Sequence, residues 1–183
     1  NVPLHVRSSF TTKPGTMIIK EVKKMEDAAV SGITLDKNEA KITLCDLPDK
    51  PGVAVKLFEH LALASVSVDM IVQNVSHTRL TDISFTIAKG DCAKASKITK
   101  KVSGKIGANE ILIDEDIARV SIVGVGMKSH HGVAAKMFGV MADNKINIEM
   151  ISTSEISISC IIKKKFAETA VKKLHEAFGL NRG

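Results

Sequence analysis

The sequence predicts an α+β protein of two tandem βαββαβ units, the second completed by a strand that lies near the N-terminus. Three observations carry this reading. First, Gly52-Val53-Ala54-Val55-Lys56-Leu57-Phe58 recurs 80 residues later as Gly132-Val133-Ala134-Ala135-Lys136-Met137-Phe138, and the same offset links Asp69-Met70-Ile71 to Glu149-Met150-Ile151. A repeat of this kind decides the architecture before single residues do. Second, each copy reads strand, helix, strand, strand, helix. Third, a strand able to close the first copy follows it directly at 110–114, whereas the second copy is followed by none and the unused strand-like run lies at 29–35.

The elements follow in order. Ala40-Lys41-Ile42-Thr43-Leu44 alternates with a period of two, the mark of a half-buried strand. Asp49-Lys50-Pro51-Gly52 supplies turn chemistry, and Val53, Leu57, Leu61 and Ala64 then form an apolar stripe at helical spacing. Strand-like runs at 66–75 and 83–88 and an amphipathic helix over 93–106 complete the copy. In the second copy Ala118-Arg119-Val120-Ser121-Ile122 matches the first strand, and Val133, Met137, Val140 and Met141 make the stripe. Runs at 146–151 and 156–162 and a helix over 166–178 follow, with Asp82-Ile83-Ser84-Phe85 aligned on Glu155-Ile156-Ser157-Ile158. The order is that of the ferredoxin-like fold. One unit spans 40–116 and the other 29–39 plus 117–180, so the two interlock and neither comes away by a simple cut.

Composition narrows the function classes. The chain has 183 residues, 44 % of them hydrophobic, enough to bury a core in one domain or two small ones. No run approaches the ~18 apolar residues of a membrane helix, and the N-terminus lacks the order of a secretory signal, so a cytoplasmic location with no membrane partner is expected. Cys45, Cys92 and Cys160 are odd in number and widely spaced, which argues against a disulfide framework or a zinc site and for buried thiols. The net charge of +6 is spread over several helices and loops, and there is no Trp or Tyr to stack on bases, so no nucleic-acid partner is expected. Lys163-Lys164-Lys165 is the one true basic run and reads as a turn. A first residue of Asn1 rather than Met reads as a processed or excised piece of something longer.

The turn before each first helix is the feature most able to carry chemistry. A helix start presents free N–H groups and a partial positive charge, so the amides of Gly52, Val53 and Ala54 could hold a small carboxylate; equally, glycine could serve only the turn. Asp69 and Glu149 occupy equivalent places in apolar strands, where a carboxylate needs solvent or a cation. An amino acid's ammonium or a lysine of the protein would each serve. Gln73-Asn74 and Ser152-Thr153-Ser154-Glu155 add polar groups at strand ends. Enzyme signals fail: Gly124-Val125-Gly126 is a lone GxG, His130-His131 are adjacent and diverge, and no nucleophile–base constellation is apparent, so neither a catalytic nor a metal-ligating set is expected.

At this point a resemblance enters. Asp49 to Ala54, Asp69 to Ser76, Val123 to His130 and Asn147 to Ile156, together with Val6-Arg7-Ser8-Ser9-Phe10 and Pro14-Gly15-Thr16, make the chain similar to the regulatory region of aspartate kinases, two ACT-type domains in tandem. The resemblance implies a parent phosphotransferase acting on the aspartate side-chain carboxylate, the first step toward lysine, threonine and methionine. Its ATP and Mg²⁺ would belong to a catalytic domain outside this segment, which needs no cofactor of its own. Residues 1–28 would be the tail of that domain and a linker, and Met25-Glu26-Asp27-Ala28-Ala29-Val30 resembles the internal start of a separate regulatory subunit that pairs with a full-length one. The resemblance further implies a homodimer and feedback inhibition by L-threonine, L-lysine or both, bound where the first unit of one chain meets the second of another. Asp49, Gly52, Val53, Ala54, Ser67, Asp69 and Gln73 would form one wall, Asn147, Ile148, Ser154 and Glu155 the other, with Met127, Lys128 and Ser129 a further contact. Two positions depart from the pattern: Ser67 stands where many relatives have Asn, and His131 replaces a proline. Alternative readings are a dimerisation module without ligand, separable by dimer stability with and without amino acids, and an RNA-recognition-like module, which would bind single-stranded RNA in a salt-dependent way.

Overall fold

The computed structural model describes residues 4–7, 9–10, 15–18, 30–75, 79–125 and 131–180. They form two four-stranded antiparallel sheets, each covered on one face by two helices, and a short ladder in which β1 (Leu4–Val6) pairs with β2 (Thr16–Ile18). The first sheet contains β4 (Glu39–Pro48), β5 (Val68–Val75), β6 (Leu80–Ala88) and β7 (Glu110–Asp114), in the order β5-β6-β4-β7. The second contains β3 (Gly32–Asp36), β8 (Ile117–Val123), β9 (Ile148–Thr153) and β10 (Ser157–Lys163), in the order β3-β8-β10-β9. The N-terminal strand thus completes the second sheet, running antiparallel to β8 from Gly32 opposite Val123 to Asp36 opposite Arg119.

Helices α1 (Val53–Leu63) and α2 (Cys92–Ile106) cover the first sheet, α3 (Val133–Asp143) and α4 (Ala167–Phe178) the second. Their apolar stripes explain why. Leu57 and Leu61 of α1 and Ala95, Val102 and Ile106 of α2 are buried against Ile42, Leu44, Ile83, Phe85 and Ile87 of the strands. The ring of Phe58 stands edge-on to Phe85, centroids 5.5 Å apart, in the geometry aromatic quadrupoles favour. In the second core Met137, Met141, Ala170 and Leu174 pack on Val120, Ile122, Ile158, Cys160 and Ile162, while Val140 is only half-buried. Lys164 begins a single 3₁₀ turn between β10 and α4, as the basic run suggested.

Two expectations need correction. The repeat is out of register in its last strand: Ser84 lies opposite Thr43 and Ser159 opposite Ser121, so Ile83 corresponds to Ile158 rather than to Ile156. The correct register repeats a hydrogen bond as well, since Thr43 and Ser84 share one at 2.9 Å and Ser121 and Ser159 one at 2.7 Å. Of the cysteines, Cys92 and Cys160 are buried but Cys45 is only half-buried, because its place in β4 turns it to the face away from the helices. Burial pushes the Cys160 thiol up to about 12.

Candidate effector site

Strand β4 ends at Pro48, and the four residues that follow turn the chain into α1. Gly52 sits at φ 91°, a left-handed conformation that costs a residue with a Cβ about 1–2 kcal/mol. A Cβ there would meet nothing within 4 Å, so glycine is needed for the backbone angle and not for space. No side chain caps the helix, and the Val53 N–H reaches only the Lys50 carbonyl, at 3.4 Å. The first-turn amides therefore point outward with their partial positive charge available. Replacing Gly52 by alanine is expected to lower stability by about 1 kcal/mol in urea unfolding, the strain term alone.

These amides open on a cavity of about 460 Å³ lined by Asp49, Lys50, Pro51, Gly52, Val53, Ala54 and Gln73. Its chemistry is amphoteric. Backbone N–H groups and the Lys50 ammonium suit a carboxylate, the Asp49 carboxylate suits an ammonium, and the Gln73 amide can donate or accept. Gln73 comes from β5, the edge strand of its sheet, whose outer backbone groups have no strand beside them among the described residues. Gly132 repeats the geometry at the start of α3, with φ 88° and no side-chain cap.

The other candidate residues lie elsewhere. Ser67 is exposed before β5 and does not line the cavity, nor does Asp69. Asn147 is exposed just before β9, the open edge of the second sheet, and Ile148 is half-buried against the second core. The Ser154 hydroxyl closes the β9–β10 hairpin, accepting from the Ser157 N–H at 3.0 Å, and Glu155 is exposed at its tip. Met127, Lys128 and Ser129 fall outside the described residues, as do Met25 and His130.

Asp69 and Glu149 take their cations from the protein itself. The helix-free faces of the two sheets meet around Met70, Ile117, Met150 and Ile161, with Val72 beside them. On one side of this small core Lys41 binds Glu149, which also lies 3.2 Å from Lys163. On the other, Arg119 lies 3.9 Å from Asp69. Lys41 and Arg119 are equivalent in the repeat, as are Asp69 and Glu149 and the two methionines, so the contact follows an approximate internal two-fold axis. Lys163 also binds Asp114; burial pushes that carboxyl up, but the hydrogen bonds from Lys163 and the Asp116 amide outweigh it and hold Asp114 below its usual range.

One member of this contact is not among the residues singled out from the sequence. Glu39, at the start of β4, is 1 % exposed, and its carboxylate lies 2.8 Å from the Arg119 guanidinium. The equivalent position in the second unit is Ile117. Burial pushes Glu39 up to about 7, helped by Asp36 and Asp69 and opposed by Arg119 and the Thr86 hydroxyl. The available signal was parity: Glu39 shares the face of Lys41, one strand residue apart in the alternation.

The ACT domain family model matches residues 46–102 and 120–178, one copy in each unit. Crystal structures agree: the chain superposes on one of aspartokinase alpha and beta subunits with a TM-score of 0.78 at 47 % identity, over 82 % of this chain and 99 % of that one. The chain belongs to the ACT-domain family of aspartokinase regulatory regions. The regulatory subunit of aspartate kinase from Thermus thermophilus, in its ligand-free form, gives the same TM-score of 0.78 at 44 % identity, over 82 % of this chain and 99 % of that one. Among whole enzymes, the aspartokinase of Pseudomonas aeruginosa is 50 % identical over 99 % of this chain, and that of Corynebacterium glutamicum 44 % identical over 98 %. This regulatory ACT region spans 44 % of the length of each, less than half. Among its described residues no helix is long and apolar enough to cross a membrane, and no group of three or more His, Cys, Asp or Glu could hold a metal ion.

Proposed function

We propose that this ACT region is the amino-acid sensor of an aspartate kinase, binding L-threonine, L-lysine or both and relaying feedback inhibition. The observation that carries the reading is the cavity at the uncapped start of α1, with Asp49 and Gln73 on its walls and the open edge of β5 beside it. A free amino acid presents a carboxylate and an ammonium together, and the cavity offers helix-start amides for the first and a carboxylate for the second. Strand β9 is likewise an open edge, so a second copy could add its β9 to β5 and bring Asn147, Ile148, Ser154 and Glu155 over the cavity. In that homodimer the ligand bridges two chains. Ligand binding then favours one inter-chain arrangement by its differential affinity, and residues 1–28 carry the arrangement to the catalytic domain, where ATP and Mg²⁺ act.

Titration of threonine and of lysine into the purified chain by isothermal calorimetry tests this. Heat with one or both, lost or weakened at least tenfold by Gln73→Ala, is the expected result. No heat with either ligand at about millimolar concentration, in the range where a specific small ligand should register, would leave the module as a dimerisation unit.

A further inference from the structure

The two halves of the contact between the units are not equal. Around Lys41 and Lys163 two ammoniums face two carboxylates, Asp114 and Glu149. Around Arg119 one guanidinium faces three: Glu39 at 2.8 Å, Asp36 at 3.6 Å and Asp69 at 3.9 Å. Glu39 is the most buried of these, at 1 % exposure. The groups that face it come from four strands: Arg119 on β8, Asp36 on β3, Asp69 on β5 and the Thr86 hydroxyl on β6. Packing does not demand a carboxylate here, since the equivalent Ile117 fills the same place in the other unit with no exposure at all.

We propose that Glu39 is a proton-operated latch between the two units: ionised, it occupies Arg119, and protonated, it yields Arg119 to Asp69 and Asp36. Coulomb attraction at an effective dielectric of about 20 makes the difference between 2.8 Å and 3.9 Å matter, so one guanidinium cannot serve all three carboxylates equally. Asp69 stands near the start of β5, next to Met70, which together with Val72 packs β5 against the second unit. A proton on Glu39 therefore tightens the tie of β5 to β8. With Glu39 titrating about 7, the tie changes across neutral pH and not in the acid range of an ordinary carboxylate.

The test needs no effector, so it stands or falls apart from the sensor reading. In protein labelled with methyl-¹³C methionine, the Met70 and Met150 resonances are expected to titrate together between about pH 5.5 and 8.5, the range around the raised Glu39 carboxyl. Met137 and Met141, in the second core, should stay flat. Glu39→Gln is expected to abolish the titration, and Glu39→Ile, which copies Ile117, to do the same should the amide disturb the contact. Flat Met70 and Met150 signals in the unaltered protein would overturn the proposal, as would a titration that persists in either variant.

Discussion

Truncating Phe85 to alanine should lower the stability of the first unit by about 3–5 kcal/mol, the cost of emptying an aromatic site in a packed core. Phe85 is fully buried in the middle of β6, flanked by Ile83 and Ile87, and meets the edge of Phe58. Its neighbours are held by strand pairing on both sides, β4 and β5, so they cannot collapse far into the space. The edge-to-face contact adds about 1 kcal/mol to the loss. In the second unit the equivalent residue is Cys160, and the room is filled from the helix by Met137 and Met141 where the first has Leu57 and Leu61. Cys160→Ala should cost far less. Urea unfolding at fixed m-value measures both; a Phe85→Ala loss below about 1 kcal/mol would mean the first core is looser than its burial indicates.

Arg119→Met should be nearly as severe, but only above neutral pH. Methionine keeps much of the apolar stem and removes the one cation shared by Glu39, Asp36 and Asp69. Leaving a buried carboxylate without its partner costs about 3–5 kcal/mol when the charge must persist. Glu39 can instead keep its proton. Its folded value is raised to about 7 from an ordinary 4.5, so the folded state holds more protons than the unfolded one between those values, and stability falls as pH rises through that window. Without Arg119 the group rises further and the window extends upward. The expected loss is therefore below about 1 kcal/mol at pH 5 and about 3 kcal/mol at pH 8.5, and Glu39→Ile in the same chain should recover most of it. An equal loss at both pH values would show that the guanidinium acts through packing alone.

What the sequence made legible follows from where its signals are local. The two helix starts were visible because Gly52 and Gly132 each open the same Gly-Val-Ala run and apolar spacing, and the crossover of β3 because the second copy lacked a strand that the first possessed. The slip in β10 has an equally local cause. Ile156-Ser157-Ile158-Ser159 repeats itself every two residues, and a shift of two leaves every side chain on its original face, so only pairing with β8 selects the register. For Asp69 and Glu149 the sequence left two kinds of cation open, and the fold resolved them because Lys41 and Arg119 occupy matching sites on strands that face across the contact. Ser67 precedes, and Asp69 lies within, a register shift of β5 against β6 between Val68 and Ile71 that comes before Gln73, which the linear spacing does not disclose. Glu39 was illegible for a different cause. A glutamate opening a strand looks solvated in any one-dimensional reading, and only the meeting of two sheets removes its water.

The placement of β3 has a mechanical consequence. A pull on the polypeptide upstream of Gly32 is borne first by the ladder to β8, five paired residues long, on the border of the second sheet farthest from β9. Tension from that direction bypasses the adjacent α1 and its cavity and loads the remote half of the molecule, shearing its outermost strand. Peeling that strand away would bare the backbone of β8 and the Val120 and Ile122 side chains behind Leu35 and Ile33.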